Sequence, residues 1–193
     1  MKNLFFTLLV VFSASACAPE FGLEMQAPPV SAVQKVEPGG AEAAALRVKV
    51  GSFEDARSAL TIVTVDDREI PTVGSVGGPV QEAFDRAFRD AGVRVVRRDA
   101  PLLQGEVVEW KANILPGFPS SEAVATAKVR VSLKDSESHV IYRGVFNGEA
   151  TVSHPLLDED HVQELLGQAM GGAVEAAVND EVLRAQLSRG RIE

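Results

Sequence analysis

From Leu46 onward, two hydrophobic periods alternate along the chain. Leu46-Arg-Val-Lys-Val50 alternates apolar and basic positions, the mark of a half-buried strand, and Ala59–Val65 is a short β-branched run of the same kind. Thr72–Pro79 reads as a loop by its glycines. Pro79 then opens a helix, in the first turn where a missing N–H costs nothing. Val80, Ala83, Phe84, Ala87, Phe88 and Ala91 recur at helical spacing until Gly92 stops them. Val93–Val96 predicts a strand, and Gly105–Ile114 a second with Val108, Trp110, Ala112 and Ile114 on one face. After the turn Pro116–Pro119, strict alternation runs through Ala123–Leu133. It resumes through Val140–Val152 beyond the turn at Asp135–Ser138. One dry and one wet face per strand predicts an antiparallel pair covered on a single side. Val162, Leu165, Leu166, Ala169, Met170, Ala173, Val174, Ala177 and Val178 predict the covering helix, starting near Asp158. Gly167, Gly171 and Gly172 within it predict close approach to the sheet. Asn179-Asp180 predicts a break and recap before a last helical turn or two, Glu181–Ser188. The expected fold is α+β, a two-layer sandwich of a mainly antiparallel β-sheet covered on one face by two amphipathic helices.

The first 45 residues follow other rules. Met1-Lys2-Asn3 gives a positive start, Leu4–Phe12 is apolar except for Thr7, and Ser13–Ala16 are small. That is the layout of a signal peptide, and the apolar run is too short to span a bilayer. Cys17, the sole cysteine, follows the small residues directly. This arrangement resembles the lipobox of bacterial lipoproteins, in which the cysteine thiol is diacylated and becomes the new N-terminus. Ala14 departs from the leucine usual there. Ala18, where the enteric sorting rule would place Asp for the inner membrane, implies an outer-membrane destination. Residues 18–44 carry Pro19, Pro28, Pro29, Pro38, Gly39 and Gly40 without a persistent period, which predicts a flexible tether. The expected organisation is therefore signal peptide 1–16, lipidated tether 17–44, domain 45–188 and tail 189–193.

A mean hydropathy of +0.06 with 46% hydrophobic residues argues against a disordered or polytopic membrane chain. The net charge of −8 argues against nucleic-acid binding through phosphate neutralisation. One cysteine excludes an internal disulfide. His139, His154 and His161 lack metal-ligand spacing, no G-x-S-x-G elbow occurs, and the glycines of 74–78 lack the GK[ST] ending of a phosphate loop. No catalytic residues, metal or cofactor are expected. The positions singled out for a partner or ligand are Asp66, Asp67 and Arg68, an acid–base cluster after a strand, and Gly74, Gly77 and Gly78. Phe118 joins them, in a turn that exposes apolar groups. Arg86, Arg89, Arg94, Arg97 and Arg98 form a loose basic cluster interleaved with Asp85, Asp90 and Asp99.

Val65-Asp-Asp-Arg68, the Gly74 segment, the helix ending at Gly92-Val93, the strand around Tyr142-Arg-Gly144 and the closing helix occur in an order that resembles the YajG-like family of Gram-negative outer-membrane lipoproteins. The resemblance implies an α+β periplasmic domain without a catalytic centre. The expected function is non-enzymatic: a protein held to the outer membrane by its N-terminal lipid, binding an envelope protein partner or component in the periplasm. Two alternatives share that address, an accessory lipoprotein of a transport or surface-assembly complex and a small-ligand-binding domain.

Overall fold

The computed structural model describes residues 23–24, 26, 29 and 46–189. The expected signal peptide, Cys17 and most of the expected tether lie outside these residues. Eight strands form one sheet: β1 (Leu23–Glu24), β2 (Arg47–Asp55), β3 (Thr61–Val65), β4 (Arg68–Val73), β5 (Arg94–Val95), β6 (Leu102–Leu115), β7 (Ser121–Lys134) and β8 (Val140–His154). Three helices accompany them: α1 (Gly77–Asp90), α2 (Glu159–Val178) and α3 (Glu181–Arg189). The α+β expectation is met, and the sheet is mixed: its long ladders are antiparallel and its shorter ones mostly parallel. The long ladders β6–β7 and β7–β8 are antiparallel. β2 and β3 both run parallel to β6, β2 beside Leu102–Val107 and β3 beside Ala112–Ile114. Because β7 occupies the other edge of β6 along its length, β2 and β3 share one edge, one below the other.

Alternation builds the core. Ala123, Ala125, Ala127, Val129, Val131 and Leu133 of β7 all point inward and are buried, as their period-2 spacing requires. β6 departs from the expected face. Its pairing with β7 slips by one residue between Val107 and Glu109, a β-bulge that reverses which side chains face the core. Leu103 and Val107 are buried before it, Trp110 and Ala112 after it, and Val108 is left half-exposed instead of joining Trp110.

The dry face is closed by α1 and α2. Phe84 and Phe88 of α1 are fully buried, and Phe84 stacks on Phe53 of β2 at 4.7 Å between ring centroids. A Schellman motif ends α1: the N–H of Gly92 donates to the Arg89 carbonyl and that of Val93 to the Phe88 carbonyl, with Gly92 at φ +84°. Asp158 caps α2 by accepting from the His161 N–H. Asp180 does the same for α3 through Leu183, and α3 adds buried Leu183 and Leu187 as a third helical contribution.

The glycines of α2 do not all serve the sheet. Gly172 faces Gly148 of β8, where a methyl group would stand 3.6 Å from the Gly148 Cα. Gly167 and Gly171 instead face Pro29. A methyl group at Gly171 would lie 2.1 Å from the Pro29 carbonyl oxygen, and one at Gly167 would lie 3.0 Å from the Pro29 ring. Leu23–Glu24 pairs in parallel with Thr72–Val73 at the edge of β4. The expected tether therefore touches the domain at two places.

Candidate functional site

The sheet has two ends, and the expected site residues divide between them. β6 rises from Leu102 to Leu115, β3 rises beside it to Val65 opposite Ile114, and β4 descends from Arg68. Asp66 and Asp67 join β3 to β4 as a two-residue turn with φ of 46° and 61°, both in the left-handed region that such a hairpin connection requires. Both are exposed, as is Arg68. The Asp-Asp-Arg cluster is thus a solvated hairpin tip. Sequence reading missed the strand after it, because Pro71 and the glycines that follow disguise β4 as loop.

Gly74, Gly77 and Gly78 lie at the other end of β4. Gly74 takes φ +85° where β4 turns toward α1. Gly77 and Gly78 are the first two residues of α1 rather than part of a loop, so the helix begins two residues before Pro79. Gly77 is buried, and a methyl group there would stand 2.0 Å from the Phe53 carbonyl oxygen. Its smallness is a packing requirement of α1 against β2. Gly78 borders an open hollow of 570 Å³ with Lys49, Gln81, Asp85, Arg89 and Arg97. Two arginines of the expected basic cluster pair along the helix, Arg89 with Asp85 at 2.7 Å and Arg86 with Glu82 at 2.9 Å.

A second open hollow, 450 Å³, lies on the wet face between β3 and β6. Its polar groups engage one another. Thr61 donates to Glu69 at 2.7 Å, and Glu109 meets Lys111 at 2.9 Å and Lys128 at 3.6 Å. The Lys111 contact holds the Glu109 carboxyl below the usual carboxylate range. At the rim, Arg57 donates both Nε and Nη2 to Asp55 at 2.8 Å and Nη1 to Thr72 at 2.8 Å. That fork keeps the Asp55 carboxyl below its ordinary value against the opposing effect of burial.

Phe118 is 99% exposed in the β6–β7 connection and stands at the same end of the sheet as the Asp66–Asp67 turn. Leu115 (62% exposed) precedes it, paired opposite Glu122, and Leu156 (73% exposed) follows β8, whose last residue His154 pairs with Ser121. Three large apolar side chains, Leu115 at the end of β6 and Phe118 and Leu156 in the connections after β6 and β8, thus crown one end. The expected residues Asp66, Asp67, Arg68 and Phe118 share that end, while Gly74, Gly77 and Gly78 do not. Leu156 carries no motif, and only the register of β7 against β8 brings it level with Phe118. Nearby, the rings of His154 and His161 stack at 4.4 Å, and His161 is also bound to the Asp158 carboxylate. No cluster of metal-ligating side chains occurs among the described residues. No helix among them is long and apolar enough to cross a membrane.

The two edges of the sheet differ. β4 is met by β1 at Thr72–Val73, whereas β8, fifteen residues long, pairs with β7 alone among the described residues. Tyr142 of β8 donates to Asp180 at 3.0 Å, and burial together with this contact pushes the phenol well above its usual range.

No protein-family model and no curated protein sequence matches the chain. Solved structures do. A protein of the DUF330 family from Xanthomonas campestris matches with a TM-score of 0.56 at 19% identity, over 84% of this chain and 96% of that one. A minor lipoprotein from Acinetobacter baumannii gives a TM-score of 0.38 at 13% identity, over 76% and 92%. A lipoprotein from Neisseria meningitidis gives 0.32 at 12%, over 62% and 92%. The first match establishes a shared fold.

Proposed function

We propose that this chain is a non-enzymatic envelope protein, anchored to the outer membrane by lipid on Cys17, that binds a periplasmic protein partner along the free edge of β8. In this reading it is a relative of the YajG-like lipoproteins. The anchor is supported by the order of positive start, apolar run, small residues and a single cysteine in residues 1–17. The observation that carries the binding role is the β8 edge. Edge strands are usually kept short, or are blunted by lysine, proline or a bulge, because their outward N–H and C=O groups template pairing with another chain. β8 spans fifteen residues and contains neither lysine nor proline, and its one register shift against β7, at Ile141, leaves Tyr142–His154 regular. Val145, 52% exposed at its middle, adds an apolar foothold on the wet face. A partner strand added there gains main-chain hydrogen bonds for affinity and alternate side chains for specificity.

A photocrosslinking amino acid placed at Glu149, exposed on β8, tests this in intact cells. The expected result is a discrete adduct with one envelope protein that disappears when Val145 is changed to Lys. Monomer alone, or adducts insensitive to Val145→Lys, overturns the edge as the binding surface.

A further inference from the structure

The direction of β1 fixes which end of the domain looks toward the lipid anchor. β1 runs parallel to β4, with Leu23 opposite Thr72 and Glu24 opposite Val73, so the chain before Leu23 arrives from the side of Arg68 and the Asp66–Asp67 turn. Leu23 lies six positions after Cys17, and Thr72 six positions after Asp66. A chain advances at most about 3.3–3.6 Å per residue, so Cys17 lies no farther than about 20 Å from β1. Pro29, lodged against Gly167 and Gly171 of α2, holds the same segment at a second point. That reach is enough to bring the lipid to the sheet end that carries Leu115, Phe118 and Leu156.

We infer that this apolar crown is a membrane-contact surface: with Leu23, Glu24 and Pro29 docked, Phe118 and its neighbours enter the interface of the bilayer that holds the lipid on Cys17. The inference rests on the anchor proposed above. Without the contacts of Leu23, Glu24 and Pro29, the domain would hang from Leu46, at the opposite end of the sheet, and the crown would face away from the membrane. Docking reverses that orientation. The occupant is a lipid interface of low charge. At this end Asp66, Asp67, Glu122 and the Asp158–Asp160 run outnumber the single exposed Arg68, and they disfavour a strongly anionic surface. An apolar tip with an acidic rim, pressed to the bilayer by its own acylated chain, needs no basic residues for attraction.

The test uses the full lipidated chain reconstituted in phosphatidylcholine vesicles with ordinary or brominated acyl chains. Phe118→Trp places an indole at a fully exposed loop position, where folding is not at stake, while Trp110 stays buried in the protein core. The expected result is loss of roughly half the emission of the introduced indole in brominated vesicles, as for a side chain about 5–10 Å into the interface. The wild-type emission should be unchanged. Gly171→Val, which removes the seat of Pro29, should restore the emission of Phe118→Trp while the protein still floats with vesicles. Its folding is checked by hydrogen exchange of β6–β8. Equal emission in both vesicle types, with flotation intact, overturns the inference and leaves the anchor standing. Failure to float overturns the anchor, and this inference with it. Quenching that persists in Gly171→Val overturns the docked segment as the orienting element. A protein adduct from a crosslinker at position 118 in cells, without quenching in vesicles, assigns the crown to a protein and also overturns it.

Discussion

The indole N–H of Trp110 donates to the main-chain carbonyl of Leu166 over 3.0 Å, joining the middle of β6 to the middle of α2. Trp110 is 1% exposed, and it reaches α2 because the bulge at Val108, two residues earlier, turns it inward. A large apolar body and one satisfied donor therefore sit at the junction of the two layers.

Trp110→Phe keeps most of the packing and removes the donor. The expected cost is about 1–2 kcal/mol, the range for a lost buried hydrogen bond with slight underpacking. Trp110→Ala should cost about 3–5 kcal/mol through the cavity it leaves. Urea unfolding that shows a lowered midpoint at unchanged slope checks both values.

Gly148 and Gly172 face each other across the β8–α2 contact with opposite tolerances. A methyl group on Gly148 would stand 1.9 Å from the Ala169 carbonyl oxygen and 2.6 Å from the Ala173 nitrogen, both main-chain atoms that cannot swing aside. Gly148→Ala should destabilise by about 1–3 kcal/mol or more, the usual cost of overpacking. Gly172→Ala meets nothing nearer than 3.6 Å and removes a glycine from a helix interior. It should stabilise by up to about 1 kcal/mol. Thermal unfolding of the two variants side by side should shift in opposite directions.

Asp55 and Arg57 make the stability of the β2–β4 junction depend on acid. The Arg57 fork lowers the folded Asp55 value below its unfolded one, near 3.9. The stabilisation is therefore fully present above the unfolded value and is lost as pH falls through the folded one. Asp55→Asn should melt lower than the parent by about 1–3 kcal/mol near neutrality, as for a charge-assisted bond. The gap should close below about pH 4. Melting curves from pH 7 to pH 2 for the two proteins check the convergence.

Cys17→Ser removes the proposed acylation site and changes nothing else in residues 1–17. Metabolic palmitate label should disappear from the protein, and the chain should move from the membrane to the periplasmic fraction, since anchoring scales with buried acyl methylenes. Retention in the membrane without label would instead locate the attachment in the folded domain.

What the sequence made legible was periodicity. β7, β8, α1 and α2 each run long enough for one period to dominate, and Gly92, Asp158 and Asp180 mark helix ends through local hydrogen bonding that needs no tertiary context. β4 was hidden because Pro71 inside it and the glycines from Gly74 onward make a short strand look like loop. The reversal of Val108 was hidden because one inserted residue leaves the composition of β6 unchanged. The crown was half visible: Phe118 stood out in its turn, but Leu156 belongs with it only through a ladder fourteen pairs long. The seat of Pro29 in α2 was invisible, since a glycine that admits a sheet and one that admits a passing segment read alike. No alternation marks a two-residue strand such as β1.

Asp180 serves two masters with one oxygen, accepting from the Tyr142 hydroxyl of β8 and from the Leu183 N–H that starts α3. A single carboxylate oxygen is thus the pin between the long outer strand and the last helix, so substituting Asp180 releases both at once.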